Sequence, residues 1–213
     1  MPYAAQRLLA GVTLLLATPV LAILALAVRL TSRGPALHRA ARMGPDGPFT
    51  LYKLRSMRSG NASGPAVTAS GDQRITELGR FLRRTKLDEL PQLWNVVKGD
   101  MALVGPRPED PRYVDPANPV HALVFRARPG ITGPTALAYR DEEDLLAREA
   151  TAIALEVGAD GPTTEHLDRA YRERILPLKL EMDAAYLRDR SARGDLAILG
   201  RTIGQMLRRT GPH

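Results

Sequence analysis

From Leu8 to Val28 every residue is apolar or small except two threonines. About 21 residues of helix rise about 31 Å, the thickness of a bilayer's hydrocarbon core. The plain reading is a transmembrane helix. A cleaved signal peptide is a second, with Arg7 as its basic start and Val20-Leu21-Ala22 near a cleavage site. The apolar run continues past Ala22 to Val28, which is too long for a signal-peptide core. Pro19 then stands near its middle. A proline there removes a helical hydrogen bond and bends the helix, and the hydroxyl of Thr18 can bond back to a carbonyl. The arms on either side, roughly 24 Å and 18 Å long, each reach across about one leaflet. Both flanks are basic, with Arg7 before and Arg29, Arg33, Arg39 and Arg42 after. Such flanks are retained on the cytoplasmic side. Thr18-Pro19 therefore predicts a re-entrant hairpin that enters and leaves by one face.

The second constraint lies between Ile75 and Glu109. Asp88 and Glu89 sit side by side, with Pro91 just beyond. Arg80, Arg83, Arg84 and Lys86 precede them, and Gly105-Pro106-Arg107-Pro108 follows as a rigid turn carrying a cation. Ile75, Leu78 and Leu82 share one helical face, with Arg80 and Arg84 roughly opposite. Pro91 suits the first turn of a helix spanning 90–97 and leaves the carboxylates at its entrance, where negative charge is favoured. Carboxylates ringed by cations suit phosphate chemistry: the cations hold substrate charge, and a carboxylate attacks phosphorus or holds Mg²⁺. Residue chemistry alone leaves this even with a solvated acidic N-cap.

These residues resemble a known family. R-R-T-K-L-D-E-L-P-Q-L-W-N-V-V-K-G-D-M-A-L-V-G-P-R-P is similar to the core of the bacterial sugar transferases, the monotopic phosphoglycosyl transferases. The likeness continues in F-T-L-Y-K-L-R-S-M (Phe49–Met57), G-P-A-V-T (64–68) and R-P-G-I-T-G (Arg128–Gly133), in the family's order along nearly the whole chain. The resemblance implies a UDP-sugar donor, a polyprenol phosphate acceptor such as undecaprenyl phosphate, and release of UMP, at the first membrane step of a bacterial glycan. It implies Asp88 as nucleophile forming a phospho-sugar intermediate, Glu89 as ligand of Mg²⁺ (or Mn²⁺), and Lys53, Arg107 and Pro108 around the substrate phosphates. Arg83 is assigned to positioning the carboxylates. It implies a helix broken at a Ser-Pro pair, here Thr18-Pro19, and the cytoplasmic face of the bacterial inner membrane. Two further departures are Gln6-Arg7 where the family often has Lys-Arg, and Pro134-Thr135 where a Trp or Leu with Ala usually follows. The latter falls where the family is expected to shape its nucleotide-sugar pocket.

The expected fold is α/β, mostly α: a re-entrant membrane helix over 1–34, then a catalytic domain over 35–213 with a small β-hairpin and interfacial amphipathic helices. The 36–41 segment and Phe49–Met57 should pair across Gly44-Pro45-Asp46-Gly47-Pro48, projecting Lys53 and Arg55. Ser59–Ser70 reads as a loop, Asp110–Pro119 as extended, and 120–126 as a short helix. Further helices are expected over 141–157, over 164–190 with a bend near Pro177, and over 195–209. The last carries an apolar stripe of Leu196, Leu199, Ile203, Met206 and Leu207 opposite Arg201, Arg208 and Arg209.

The net charge of +7 suits anionic lipid or phosphorylated substrates. Aromatics are only 5% and no RNA-binding motif interleaves them with basic residues, so nucleic acid is not expected. The absence of cysteine excludes disulfides and thiol catalysis, and the four histidines show no metal-site spacing. Two other classes remain: a membrane-anchored aspartyl-phosphate phosphohydrolase, and a non-enzymatic basic adaptor. The sugar, the pathway and the oligomeric state, a homodimer among the options, are not set by these residues.

Overall fold

The computed structural model describes residues 1–58 and 67–209, the last three of these by backbone alone. Most of the loop expected over Ser59–Ser70, part of the 64–68 motif, and the side chains of Leu207, Arg208 and Arg209 fall outside this description. The described residues are mostly helical. Helix α1 (Tyr3–Thr31) is followed by strands β1 (Leu37–Gly44) and β2 (Gly47–Leu54), then α2 (Glu77–Thr85) and α3 (Gln92–Lys98). Strand β3 (Ala102–Val104), α4 (Pro119–Phe125), β4 (Gly130–Thr132) and α5 (Pro134–Ala138) come next. Helices α6 (Glu142–Glu156), α7 (Thr164–Ala170), α8 (Leu176–Arg188) and α9 (Ala192–Arg209) complete the chain.

α1 is the one helix among the described residues long and apolar enough to cross a membrane. It runs as α-helix through Pro19, where a break was expected. Pro19 costs the helix only the bond its missing N–H would make to Leu15, and the rest of the ladder persists. The Thr18 hydroxyl does bond back, to the Leu14 carbonyl at 2.8 Å. Both ends of α1 lie on the same body of protein. Near the start, Gln6 accepts from the backbone N–H of Leu103 (2.8 Å), and Arg7 donates to the Val97 carbonyl at the end of α3. Near the end, Val28 packs against Leu54 and Leu82. Arg55 does not project from the hairpin as expected. It turns under the end of α1 and donates to the carbonyls of Ser32 (2.6 Å) and Arg33 (2.9 Å), satisfying groups that a helix C-terminus leaves open. Ala10 and Leu14 pack in one core cluster and Leu21, Leu24 and Ala25 in another. Leu8, Val12, Leu15, Leu16, Ile23, Leu26 and Leu30 remain exposed.

The hairpin pairs antiparallel with Gly44 opposite Gly47, a tighter turn than expected, with a longer first strand, a second strand that starts and ends earlier, and His38 opposite Lys53. Its strand β2 is tied to α3 through Asn95, fully buried, which donates to the Thr50 carbonyl (2.7 Å) and accepts from the Tyr52 N–H (3.2 Å). A second sheet, β3 parallel to β4, was not anticipated. Three-residue strands are too short for alternation to register. Its pairing continues into two crossing Gly-Pro turns: the Ala102 N–H donates to the Pro129 carbonyl, and the Gly130 N–H to that of Pro106, both at 2.8 Å. A Cβ on Gly130 would sit 2.2 Å from the Gly105 nitrogen, so the two turns touch backbone to backbone.

Helices α4, α6, α7 and α8 enclose a core of Tyr113, Leu146, Ile153, Tyr171, Ile175 and Leu180. The interruption expected at Pro177 lies upstream, as a π-helical turn over Tyr171–Ile175, with Pro177 in the first turn of α8. The stripe on α9 divides: Leu199 packs inward, while Leu196 and Ile203 are exposed.

α2 begins at Glu77, capped by the Thr76 hydroxyl, so Ile75 precedes the helix and forms a β-bridge with Met57. Its Gly79 lies against the strand that follows the hairpin, and an added Cβ would meet the Ser56 carbonyl oxygen at 1.9 Å. Gly79→Ala is therefore expected to destabilise the protein by about 1–3 kcal/mol, although alanine is the better helix former. Denaturant unfolding in detergent should show a lower midpoint; an unchanged or higher midpoint would mean that α2 and the hairpin are free to separate.

Candidate active site

Asp88 and Glu89 occupy a 3₁₀ turn, Leu87–Glu89, between α2 and α3. Lys86 enters it with φ +59°, in the left-handed region, and this reversal turns both carboxylates inward, where they are buried. Glu89 Oε1 is held by two cations, Lys53 Nζ at 3.0 Å from β2 and an Arg107 guanidinium nitrogen at 3.2 Å from the Gly-Pro-Arg-Pro turn. Asp88 is held differently: its Oδ1 is buried and has no hydrogen-bond partner among the described residues.

The two carboxylates consequently differ in basicity. Burial pushes the Asp88 carboxyl up, and the opposing pull of Lys53 does not cancel it. Burial acts on Glu89 too, but Lys53, Arg107 and Lys86 overcome it and hold this carboxyl well below the usual range. Asp88 is the more basic of the pair, lines the cleft and keeps one buried oxygen without a partner among the described residues. That combination suits a nucleophile or a ligand for an incoming cation.

The cleft measures about 780 Å³ and is bounded by the hairpin, α2, the Gly-Pro-Arg-Pro turn and the start of α6. Lys53, Arg83, Arg107 and Pro108 all line it. Arg83 does not touch either carboxylate. Its Nε donates to the Ser56 hydroxyl (2.8 Å), and its guanidinium forms an ion pair with Glu143 across the cleft. Arg80, Arg84 and Lys86 also line the cleft, as do His38, Arg42 and Arg74. His38 projects from the same hairpin face as Lys53, and burial, Arg42, Lys53 and Arg83 together push its pKa down. The cleft thus offers cations to an anionic ligand from three separate elements.

A buried network behind Arg107 escaped the sequence reading. Lys179 on α8 donates to Glu109 (2.7 Å) and Glu142 (3.1 Å), and the Tyr171 hydroxyl donates to Glu109 at 2.6 Å. Glu109 also accepts, through its carbonyl, from the Met43 N–H of β1 (2.9 Å). Lys179 lies in a segment that reads as a polar helix, and its only distinguishing sign is one lysine among apolar neighbours in L-P-L-K-L. The π-helical turn rotates Tyr171 inward towards this network. Thr135 is fully buried and donates to Asp183 at 3.0 Å. The Pro134-Thr135 departure therefore bears on scaffolding, while Ala136, Tyr139 and Arg140 face the cleft. Arg128, the cation that opens the Arg128–Gly133 turn, stacks over the Tyr3 ring at 4.8 Å and so joins that turn to α1.

The model of bacterial sugar transferases matches residues 3–209, from the first turn of α1 to the end of α9. The chain belongs to the bacterial sugar transferase family. It is 48% identical over 121 residues to a UDP-glucose:undecaprenyl-phosphate glucose-1-phosphate transferase of Caulobacter vibrioides, covering 54% of this chain and 45% of that protein. It is 46% identical over 104 residues to a putative undecaprenyl-phosphate N-acetylgalactosaminyl 1-phosphate transferase of Bacillus subtilis, covering 48% and 58% respectively. A UDP-galactose-lipid carrier transferase of Erwinia amylovora is 33% identical over 223 residues, covering 95% of this chain and 39% of that one. The chain thus spans between about two fifths and three fifths of the length of these curated relatives. Within the region matched to the bacterial sugar transferases, Glu89 of the Asp88-Glu89 pair is joined to Lys53 and Arg107.

Proposed function

We propose that the chain is a phosphoglycosyl transferase that moves a sugar 1-phosphate from a UDP-sugar to a polyprenol phosphate, undecaprenyl phosphate by analogy with the relatives, and releases UMP. The observation that carries this is Asp88, basic and with an unpartnered buried oxygen, on the wall of a cation-lined cleft in a protein with a membrane-type helix. A carboxylate oxygen of Asp88 attacks the phosphorus next to the sugar. The bond from that phosphorus to the UMP oxygen breaks, and UMP leaves with the electron pair. A phosphate oxygen of the polyprenol phosphate then attacks the same phosphorus, and Asp88 departs as carboxylate. Donor and acceptor are both anionic and repel each other; the covalent intermediate lets them use one site in turn. Lys53 and Arg107 hold the phosphate oxygens in place while Glu89 fixes the two cations.

Mg²⁺ or Mn²⁺ fits these residues. No group of three or more acids or histidines surrounds a common point among the described residues, so a cation here would take one or two carboxylates and complete its shell with water and substrate phosphate. Glu89, and the unpartnered Asp88 oxygen, are the groups that would hold it, and it would supply charge neutralisation to the diphosphate.

We also propose a monotopic arrangement at the inner membrane, with residues 1–34 as the membrane element and the rest on the cytoplasmic face. A spanning helix would place its ends on opposite sides of the bilayer. Here Gln6 and Arg7 at one end and Val28 and Ser32 at the other all bind one body of protein, leaving a single apolar face open along the helix. The exposed Leu196 and Ile203 of α9 suit the same lipid surface.

Purified protein with a panel of UDP-sugars and polyprenol phosphate is expected to release UMP, to need Mg²⁺ or Mn²⁺, and to stop in excess EDTA. Full turnover in EDTA would remove the metal from the scheme. Asp88→Asn should lower turnover by at least about 10³-fold and prevent trapping of labelled sugar phosphate on the protein, with Glu89→Gln leaving weak activity. Near wild-type turnover by Asp88→Asn would end the covalent mechanism. Steady release of free sugar phosphate without acceptor would instead indicate a phosphohydrolase.

Topology can be read with Ala4→Cys, since the chain has no other cysteine and Ala4 is exposed. A membrane-impermeant thiol reagent should leave it unlabelled in intact spheroplasts and label it once they are permeabilised. Labelling before permeabilisation would show a spanning helix.

A further inference from the structure

We propose that Asp183 on α8 is a positioning residue for Arg107, its carboxylate fixing the turn that aims the guanidinium at Glu89 and the substrate phosphate. The inference deepens the proposed function, since it rests on Arg107 as a phosphate-holding group.

The geometry starts from Pro106-Arg107-Pro108. Both prolines lack an N–H, so the only backbone donor inside this tripeptide is that of Arg107. That N–H donates to Asp183 Oδ2 at 3.2 Å. The rest of the turn is held through its flanks, by the Gly105 N–H on the Thr132 carbonyl (3.0 Å) and the Gly130 N–H on the Pro106 carbonyl (2.8 Å). Asp183 thus governs the one point at which the arginine's own peptide can rotate. The carboxylate is itself aimed by the Thr135 hydroxyl, 3.0 and 3.1 Å from its two oxygens. Lys179, one turn earlier on the same face of α8, anchors Glu109 two residues beyond Arg107. One helix therefore grips the turn on both sides of Arg107 with two buried side chains, Asp183 at 3% and Lys179 at 2% exposure.

A carboxylate this buried is costly unless its bonds repay it. Burial pushes the Asp183 carboxyl up to about 6, with Glu109 adding to the rise and Thr135, the Arg107 N–H and Lys179 opposing it. Arg107 and Glu109 on the turn and Lys179 on α8 are the charged groups around it; α5 contributes Thr135. Above pH 6 the ionised carboxylate accepts from both donors. Below it, the proton makes one oxygen a donor, and the grip on the turn becomes that of a neutral amide-like group.

The test uses the full chain in detergent. Asp183→Ala should lower kcat/KM for the UDP-sugar by about 10- to 100-fold, the scale of a small misplacement of a phosphate-holding group. The same change in an Arg107→Ala background should cost less than about twofold, because the pair acts as a unit. An equal loss in both backgrounds would show a merely structural role and overturn the proposal. Should Asp183→Ala fail to fold, Asp183→Asn serves in its place. Its rate should trail wild type by about fivefold above pH 7, as a neutral acceptor replaces a charged one, and converge on it below pH 6. A ratio constant with pH would also overturn it. Hydrogen exchange separates failure of this inference from failure of the proposed function. In 105–109 only Gly105, Arg107 and Glu109 carry amides, and Asp183→Asn should speed exchange in that segment whatever the enzyme's substrate. Unchanged exchange there would sink the proposal even in an active transferase.

Discussion

Glu89 Oε1 receives Lys53 and Arg107 together, and the architecture of the cleft follows from that shared oxygen. Lys53 arrives from a hairpin, Arg107 from a turn after β3, and Glu89 from the 3₁₀ turn between α2 and α3. Leu54 and Leu87 pack in one core cluster and Leu51 and Val104 in another, so apolar contacts hold these elements while Glu89 sets their charged tips. Like charges from Lys53, Arg107 and Lys86 would repel one another in a cleft of low dielectric without the carboxylate among them. Burying one carboxylate among three cations also leaves net positive charge, which a diphosphate can neutralise. The neighbouring Asp88 also feels Lys53, Lys86 and Arg83, but burial outweighs them and raises its basicity. One acidic pair is thereby divided between a fixed counter-ion and a free oxygen.

The scaffold behind the cleft is rigid where the chemistry needs it. Asn95 replaces a missing strand neighbour for β2 and so links the position of Lys53 to α3. The Gly105 and Gly130 turns meet backbone to backbone, which no larger residue would allow. Behind them α8 supplies Lys179 and Asp183 as buried, fully bonded charges. Breaking the Lys179–Glu109 pair from one side would cost about 3–5 kcal/mol, so it holds geometry more firmly than its modest net stabilisation implies.

α1 gives this scaffold an apolar surface suited to lipid. Its inward stripe of Gln6, Ala10, Leu14, Leu21 and Val28 recurs at spacings of four and seven residues and completes two of the core clusters. Its outward stripe is as apolar as its inward one. A helix apolar all round has no solvated face, and that condition is met when protein covers one side and lipid the other. Gln6 is the exception that explains the docking: its amide reaches the free edge of β3, which would otherwise bury unpaired N–H groups.

Much of this was legible in the residues because local patterns report local physics. The apolar run, the hairpin turn, the amphipathic α2 and the acidic pair among cations all follow from spacing and charge within a few residues. Arg107 stood out as the cation on a rigid Gly-Pro-Arg-Pro turn, whereas Lys53 was legible only through the resemblance to a family, since a lone strand lysine carries no signal of its own. The sequence by itself determined a membrane-type helix, a phosphate-suited acidic pair and a mostly helical body. Tertiary structure alone decided that both ends of α1 rest on one body, that Arg83 bonds Ser56 and Glu143 rather than the acidic pair, and that Lys179, Tyr171, Asp183 and Thr135 stand behind Arg107. Such pairings reach far along the chain, 27 positions for Arg83–Ser56 and 97 for Gln6–Leu103. A buried polar group takes whichever partner the packing of distant helices brings within reach, and no periodicity along the chain encodes that distance.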